Sequence, residues 1–371
     1  MSLSISGSQI TFPDGSVQGT APNGFKNRII NGAMVIDQRN AGASGTGTNN
    51  FPVDRWRFEG SQSGKLTWGQ NLNSITPPAG FAKYTGFSSS SAYSITSTDY
   101  NLFYQPIEGL NTADLGWGTA NAQTVTLSFW VRSSLTGTFG GAVINSAQNR
   151  SYPFAYTINA ANTWEQKTIT IAGDTSGTWL TTNGSGIDIR FSLGTGSTYS
   201  STANTWAAGQ YWNSTGSTSL VGTSGATWYI TGVQLEKGSA ATSFDYRPYG
   251  TELQLCQRYY CSSFSPSESV GDAKSPGYKG AFTAYSGATG WIPFIAFPVQ
   301  MRANPTMTAY RADTGSTAGR WGYYNGGWNT CNSTVLNGAL TQMGFYGDNG
   351  GSFTANNSYL TTGNWTASAE L

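Results

Sequence analysis

Histidine is absent from this chain of 371 residues. Its absence removes Ser-His-Asp and Cys-His catalysis, His-ligated zinc and imidazole acid–base chemistry. An enzyme would be left with paired carboxylates, as in glycosidases, or with Lys and Tyr. Charge is scarce as well, at 10% of residues against roughly 25% in soluble proteins. The net charge is +1 and the arginines are dispersed, so no cluster exists to neutralise phosphates and no nucleic-acid partner is expected. A net charge near zero also leaves little self-repulsion, which tolerates association. The three cysteines, Cys256, Cys261 and Cys331, make no disulfide framework. The opening MSLSISGSQI has neither the basic nor the apolar region of a secretory signal. No apolar run approaches the ~18 residues of a membrane span. A soluble chain, made in a cytoplasm and not inserted in a membrane, is expected.

What is abundant points to strands. Glycine reaches 48 residues and aromatics 14%, with 13 Trp and 20 Tyr. Tyr, Trp, Phe and Thr suit a pleated surface, and Gly, Asn, Ser and Pro supply turns. Residues 123–133, QTVTLSFWVRS, are the clearest case. Val125, Leu127, Phe129 and Val131 face one way; Thr126, Ser128, Trp130 and Arg132 face the other. Further strands are expected at 65–68, 93–96, 102–107, 137–145, 150–158, 164–171, 186–194 and 227–235. This spacing predicts an all-β fold, an antiparallel β-sandwich or jelly roll.

Four regions follow. Residues 1–25 read as a β-hairpin leader around Asp14-Gly15, suited to attachment to a larger particle. Residues 26–249 form the jelly-roll domain. Residues 250–262 form a helical adaptor, and residues 263–371 a smaller C-terminal β-sandwich. In TELQLCQRYY, Leu253, Cys256 and Tyr260 share one helical stripe, with Leu255 and Tyr259 beside it. So short a helix cannot hide both stripes alone. One is expected to meet copies of itself, which makes Leu253, Leu255, Cys256, Tyr259 and Tyr260 candidate oligomer contacts. Asp54 and Arg55 read as a structural pair at the start of a strand.

FPDGSV, NRIINGAMVIDQRNAG, FPVDRWRF, TLSFWVRSS, WYITGVQLEKGSAATSFDYRPYGTELQLCQRYY and FPVQMRANPTMT resemble, in order, tail-fibre and receptor-binding proteins of tailed bacteriophages. The resemblance implies a virion protein, a homotrimer, with a carbohydrate-binding-like jelly roll and a C-terminal β-domain. It implies adhesion to a host-surface glycan or protein, with other virion proteins as partners through residues 1–25. It carries no catalytic motif and no cofactor.

The residues themselves agree with adhesion. Sugars offer C–H faces to aromatic rings and hydroxyls to amides and charges, and Tyr, Trp, Asn, Ser and Gly are the contact set of binding loops. The long Ser/Thr/Gly/Asn insertion before residue 227 carries Trp206, Tyr211 and Trp212, a first candidate set. RWGYYNGGWN is the second, with Arg320, Trp321, Tyr323, Tyr324, Asn325 and Trp328, and Asn329 as a further polar partner. Core or interface packing competes with this reading at every one of these aromatics. The rival function is a structural virion decoration or connector; a glycan depolymerase is a lesser one. Exposure of Trp206 and Trp212 at a tip would favour adhesion, and burial between subunits would favour structure. Asp174, Asp188, Glu165, Asp313 and Asp348 form no glycosidase motif. Asp313 and Asp348-Asn349-Gly350 could ligate calcium, but read first as turns, so no metal is expected.

Overall fold

A computed structural model describes residues 4–6, 9–11, 17–18, 26–271, 278–287, 289–312, 319–331, 333–348 and 353–371. The leader holds β1 (Ser4–Ser6), β2 (Gln9–Thr11) and β3 (Val17–Gln18) in one antiparallel sheet. The Asp14-Gly15 turn lies outside the described residues.

The first large unit contains β4 (Asn50–Val53), β5 (Trp56–Gly60), β6 (Leu66–Gln70), β7 (Thr85–Ser89) and β8 (Tyr100–Glu108). It continues with β9 (Val125–Ser133), β10 (Gly137–Ile144), β11 (Arg150–Ile158), β12 (Glu165–Ile171) and β13 (Ser185–Thr195). Three two-residue strands follow, β14 (Ser200–Ser201), β15 (Ala207–Ala208) and β16 (Asn213–Ser214), before the long β17 (Thr227–Lys237). A seven-stranded sheet, β15-β11-β10-β13-β8-β5-β4, shares one core with a five-stranded sheet, β12-β9-β17-β7-β6. The fold is the expected antiparallel sandwich. Its core is aromatic: Trp56 stacks on Phe103 at 4.9 Å, and Phe129 meets Phe191 edge-on at 5.0 Å. Each such pair adds roughly 0.5–1.5 kcal/mol to the burial of its rings.

Strand β9 shows the predicted alternation, with Val125, Leu127, Phe129 and Val131 all in the core. Its other face is partly closed as well, since Thr126 and Ser128 are buried and Thr126 donates to the carbonyl of Gly238. Residues 93–96 are not a strand. Asp99 captures them instead: one carboxylate oxygen accepts from the Tyr93 hydroxyl and from both the amide and hydroxyl of Thr96, at 2.7–2.8 Å. Such local side-chain bonds compete with the ladder.

Helix α1 (Tyr249–Gln257) follows. The second unit comprises β18 (Tyr260–Ser262), β19 (Tyr278–Ala284), β20 (Thr289–Ala296), β21 (Thr306–Tyr310), β22 (Gly322–Tyr324) and β23 (Trp328–Thr330). It closes with β24 (Ser333–Gly338), β25 (Gln342–Asp348) and β26 (Ser358–Ser368). Strand β26 organises it. Its first half pairs with β19 and β22, its second half with β18 and β21. Trp321, Trp365, Phe282, Phe353 and Tyr359 fill the core between.

The oligomer contacts expected on the helix are largely used inside one chain. Tyr260 begins β18 rather than continuing the helix. Cys256 and Tyr259 are buried against Ile30 and Ile36, and Tyr260 is buried beneath the Arg39 guanidinium. The cause is that residues 26–39 run beneath the helix and cover the stripe that seemed to need a second copy. Only Leu253 and Leu255 stay half-buried. Burial raises the Cys256 thiol well above its usual range and that of Cys261 to about 12, so neither is a reactive cysteine.

What joins the two units is polar. Strand β17 bulges at Gly232, whose positive φ of 63° and crowding by Phe81 suit glycine alone. The bulge frees Val233 to bond residues 26–36: its N–H donates to Gly32, and its carbonyl accepts from Asn27. A Cβ on Gly32 would lie 2.1 Å from that carbonyl oxygen. Asn31 donates through Nδ2 to the carbonyls of Ile36 (2.8 Å) and Asp54 (2.9 Å) and through its amide to Glu252. Glu252 is paired with Arg247 at 3.2 Å. Asp54 and Arg55 do form structural pairs, but not with each other. Arg39 bridges Asp54 (3.1 Å) and Glu370 (2.8 Å), and buried Arg55 reaches Glu370 as well. Arg258 grips Glu108 through two bonds of 2.7 and 3.0 Å, and the Tyr259 hydroxyl donates to it at 2.6 Å. The last residues of the chain thus lock onto the first sandwich.

Removing one partner of such a pair strands a buried charge. Glu370→Gln should therefore lower the unfolding free energy by about 3 kcal/mol in urea titration; a loss below about 0.5 kcal/mol would show that Arg55 is not held by charge. A pH dependence follows from Asp54. Burial pushes its carboxyl up to about 6 against the pull of Arg39 and Gln38. The folded chain binds this proton below about pH 6, the unfolded chain only near pH 4. The group therefore adds stability as pH falls through that window and loses it as pH rises. The stability difference between the unmodified chain and Asp54→Asn should shift by about 2–3 kcal/mol in favour of the unmodified chain between pH 7 and pH 4. An unchanged or opposite difference contradicts the assignment.

Candidate glycan-contact surfaces

The first predicted set does not form one site. Trp212 is only 6% exposed. It stacks on Tyr199 at 4.0 Å and meets Tyr100 edge-on at 4.9 Å, with the Arg190 guanidinium 5.4 Å from its ring. Its indole N–H donates to Gln148 at 3.2 Å. With Leu102, Tyr104 and Ile144 it makes a small apolar cluster of its own. Trp206 belongs elsewhere. It is half-buried against Trp117, Trp179 and Tyr152 and caps the main sandwich core, with its N–H on the Ala172 carbonyl at 2.8 Å. Tyr211 is half-buried beside Gly209. The insertion therefore spends its tryptophans as covers over the sandwich. Trp212 is buried and Trp206 half-buried, both against residues of their own chain, so the discriminator between adhesion and structure does not decide here.

Beside the Trp212 cluster lies a half-buried polar group that sequence reading missed. Glu59 accepts from the hydroxyls of Tyr104 (2.8 Å) and Tyr100 (3.5 Å). Burial first, then the Glu59 charge, hold the Tyr104 hydroxyl well above its usual range. The signal available was the alternation Tyr100-Leu102-Tyr104, which places these rings on one face of β8.

The second set is split by the period of its strand. Trp321 (0% exposed) and Tyr323 (5%) point inward and belong to the C-terminal core. The Trp321 indole donates to the Asn364 carbonyl at 2.8 Å. These two are corrected from glycan contacts to core residues; a strand alternates faces, so Trp321 and Tyr323, two positions apart, share the inner face and Tyr324 takes the outer one. Tyr324 and Trp328 point outward. They are cross-strand partners in the β22–β23 hairpin, 44% and 54% exposed, with ring centroids 5.6 Å apart at 71°. The turn is Asn325-Gly326-Gly327, with Gly326 at φ 67°. Asn329 donates to the Gly327 carbonyl at 2.8 Å, which stiffens the tip. Exposed Leu360 on β26 lies opposite Tyr324 and widens the apolar surface. Arg320 and Asn325 are exposed nearby. Among the described residues, the Tyr324 hydroxyl, the Trp328 indole N–H and the Asn325 side-chain carboxamide have no intramolecular hydrogen bond, while the Asn325 backbone N–H donates to the Gly327 carbonyl at 2.9 Å. The tip therefore offers two rings for C–H faces and several unspent polar groups for hydroxyls.

The carboxylates weighed as catalytic acids are occupied. Asp174 takes two bonds from Arg150 at 2.7 and 2.8 Å. Asp188 is paired with Arg190 at 2.8 Å. Glu165 is paired with Lys167 at 2.6 Å; burial alone would raise it, but Lys167 and the Asn159–Ala160 amides bring it down to about 2. The side chains of Asp313 and Asp348, and Asn349-Gly350, lie outside the described residues.

No family model matches the chain, and no curated protein does. Solved structures align with part of the chain. The enzymatically active domain of tailspike protein 4 of bacteriophage CBA120 aligns over 57% of this chain at 13% identity and a TM-score of 0.32. This alignment takes in only 22% of the tailspike structure. A family 4 carbohydrate-binding module aligns over 56% of this chain and 98% of its own length, at 16% identity and a TM-score of 0.28. A sugar-binding protein described as such in Bacteroides thetaiotaomicron VPI-5482 aligns over 57% and 100%, at 13% identity and 0.32. At these TM-scores the likenesses carry no argument.

The division into inner and outer aromatics is testable by stability alone. Trp321→Ala should cost about 3–5 kcal/mol through the cavity it leaves. The Tyr324→Ala/Trp328→Ala double variant should stay within about 1 kcal/mol of the unmodified chain. Equal losses would place Tyr324 and Trp328 in the core.

Proposed function

We propose that this chain is a non-catalytic adhesin of a phage virion fibre, and that it binds a host-surface glycan through the β22–β23 hairpin tip. The observation that carries the reading is the Tyr324–Trp328 pair, with its large apolar area left in water on a stiffened turn. Isolated exposed apolar residues are ordinary; a clustered aromatic pair beside Leu360 with unspent polar groups is the composition of a contact surface. Support for the virion setting comes from the motifs between Asn27 and Tyr260 that resemble phage receptor-binding proteins. In that setting residues 1–25 attach the chain to other virion proteins, the working form is a homotrimer, and the site of action is an external appendage. The structural-connector reading would leave the hairpin tip without a role. The absence of catalysis is part of the proposal, and the paired states of Asp174, Asp188 and Glu165 support it.

Binding to intact host cells, and to glycans released from them, tests the reading. Tyr324→Ala/Trp328→Ala should weaken binding at least about 30-fold, the scale of an aromatic hot spot of about 2 kcal/mol. Undiminished binding by the double variant would move the site elsewhere. Release of reducing sugar ends during incubation would overturn the non-catalytic part.

A further inference from the structure

The junction that ties the two units together leaves a cleft on one side. Helix α1, residues 35–42, and Phe264 and Pro266 enclose a cavity of about 430 Å³. A smaller recess of about 190 Å³ adjoins it, and Val35 and Tyr249 line both. The two compartments differ in chemistry. The recess is walled by Phe81, Phe244 and Tyr246, whose rings pack at 4.8–5.5 Å from one another. Tyr246 and Tyr249 are more than half exposed there. The larger cavity carries Asp37, Lys83, Gln70 and Gln257 among apolar carbons of Val35, Leu253 and Phe264.

We infer that this two-part cleft is a second saccharide-binding subsite, which takes two neighbouring sugar units of a neutral glycan. One unit lies against the Tyr246–Phe81 side, and the next is hydrogen-bonded beyond Tyr249. Its ligand class rests on the saccharide reading above; its place is argued independently of the hairpin. The larger cavity falls within the roughly 300–1,000 Å³ of ligand pockets, which occur preferentially between domains. One carboxylate and one ammonium cancel, so the cavity suits a neutral, hydroxyl-rich ligand rather than an ion. The carboxylate is held in place: Asp37 accepts from the backbone amides of Asn40 and Gly42 at 2.9 Å and from the Asn40 side-chain amide at 3.0 Å. Burial raises this acid from its ordinary value, so a hydroxyl that hydrogen-bonds it restores part of the solvation it has lost. Among the described residues, the Lys83 ammonium and the Gln257 amide have no intramolecular partner, which leaves both for ligand hydroxyls. The opposite wall is rigid, since the Arg247–Glu252 pair that lines the recess belongs to the junction network. An acyl chain would want an unbroken apolar lining, and this cleft alternates.

Hydrogen–deuterium exchange of the full chain tests the inference, with maltotriose, cellotriose, mannotriose and chitotriose as probes at millimolar concentration. At least one probe should slow exchange in residues 35–42 and 249–257 by about threefold or more. That protection should persist in Tyr324→Ala/Trp328→Ala and vanish in Lys83→Ala/Gln257→Ala, both of whose altered side chains are only partly buried. Protection confined to residues 322–330 would overturn the cleft and leave the hairpin reading standing. Protection confined to the cleft would overturn the hairpin reading alone. No protection at either place would overturn both. If a synthetic peptide of residues 1–25 protected the cleft and no saccharide did, the occupant would be a peptide and the inference would fall.

Discussion

A buried charge is stable only when its partner and its remaining hydrogen bonds are all in place. The junction between the sandwich and the C-terminal β-unit is built on that constraint. Arg55 is buried, and its charge is met by Glu370 from the far end of the chain. Arg39 shares that carboxylate with Asp54, while Glu252 joins Arg247 to the amide of Asn31. Such pairs contribute little net stability when complete and cost much when broken. Their effect here is positional. The pairs tie helix α1 and Glu370, just beyond β26, to residues 26–55, so the second unit is held against the first. The hairpin tip inherits its position from that lock.

This gives the most distinctive sequence motifs a physical reading. NRIINGAM supplies Asn27, Asn31 and Gly32; FPVDRW supplies Asp54 and Arg55; GVQLEKG supplies the bulge and Val233. FDYRPYGTEL supplies Asp245, whose carboxylate accepts from the Lys26 and Asn27 amides, and the Arg247–Glu252 pair. All of these meet at the junction. The residues of these motifs are therefore architectural, and the proposed contact surfaces fall to other segments. A structure of this kind can change what its tip and cleft touch without disturbing what holds it together.

The legible part of the fold was the part written in period two. Strands such as β9 and β11 could be read because their inner positions are uninterrupted apolar residues. Residues 93–96 could not, because the capture by Asp99 is a contact with a side chain beyond the segment. The helix was legible in place but not in partner. Its buried stripe is covered by residues some 220 positions earlier in the chain, as the Asn31–Glu252 bond illustrates, and nothing local announces that. The aromatics show the same limit. Richness in Trp and Tyr was plain, yet composition could not say that Trp321 and Tyr323 turn inward while Tyr324 and Trp328 turn out. Nor could it foresee that Trp206 and Trp212 serve as covers, or that a cleft opens beside Tyr249.

The central claim is that the buried ionic junction makes the sandwich and the C-terminal β-unit behave as one body. Differential scanning calorimetry of the unmodified chain tests it most directly. The account predicts a single transition whose calorimetric and van't Hoff enthalpies agree. Two resolved transitions, one for each unit, would contradict it.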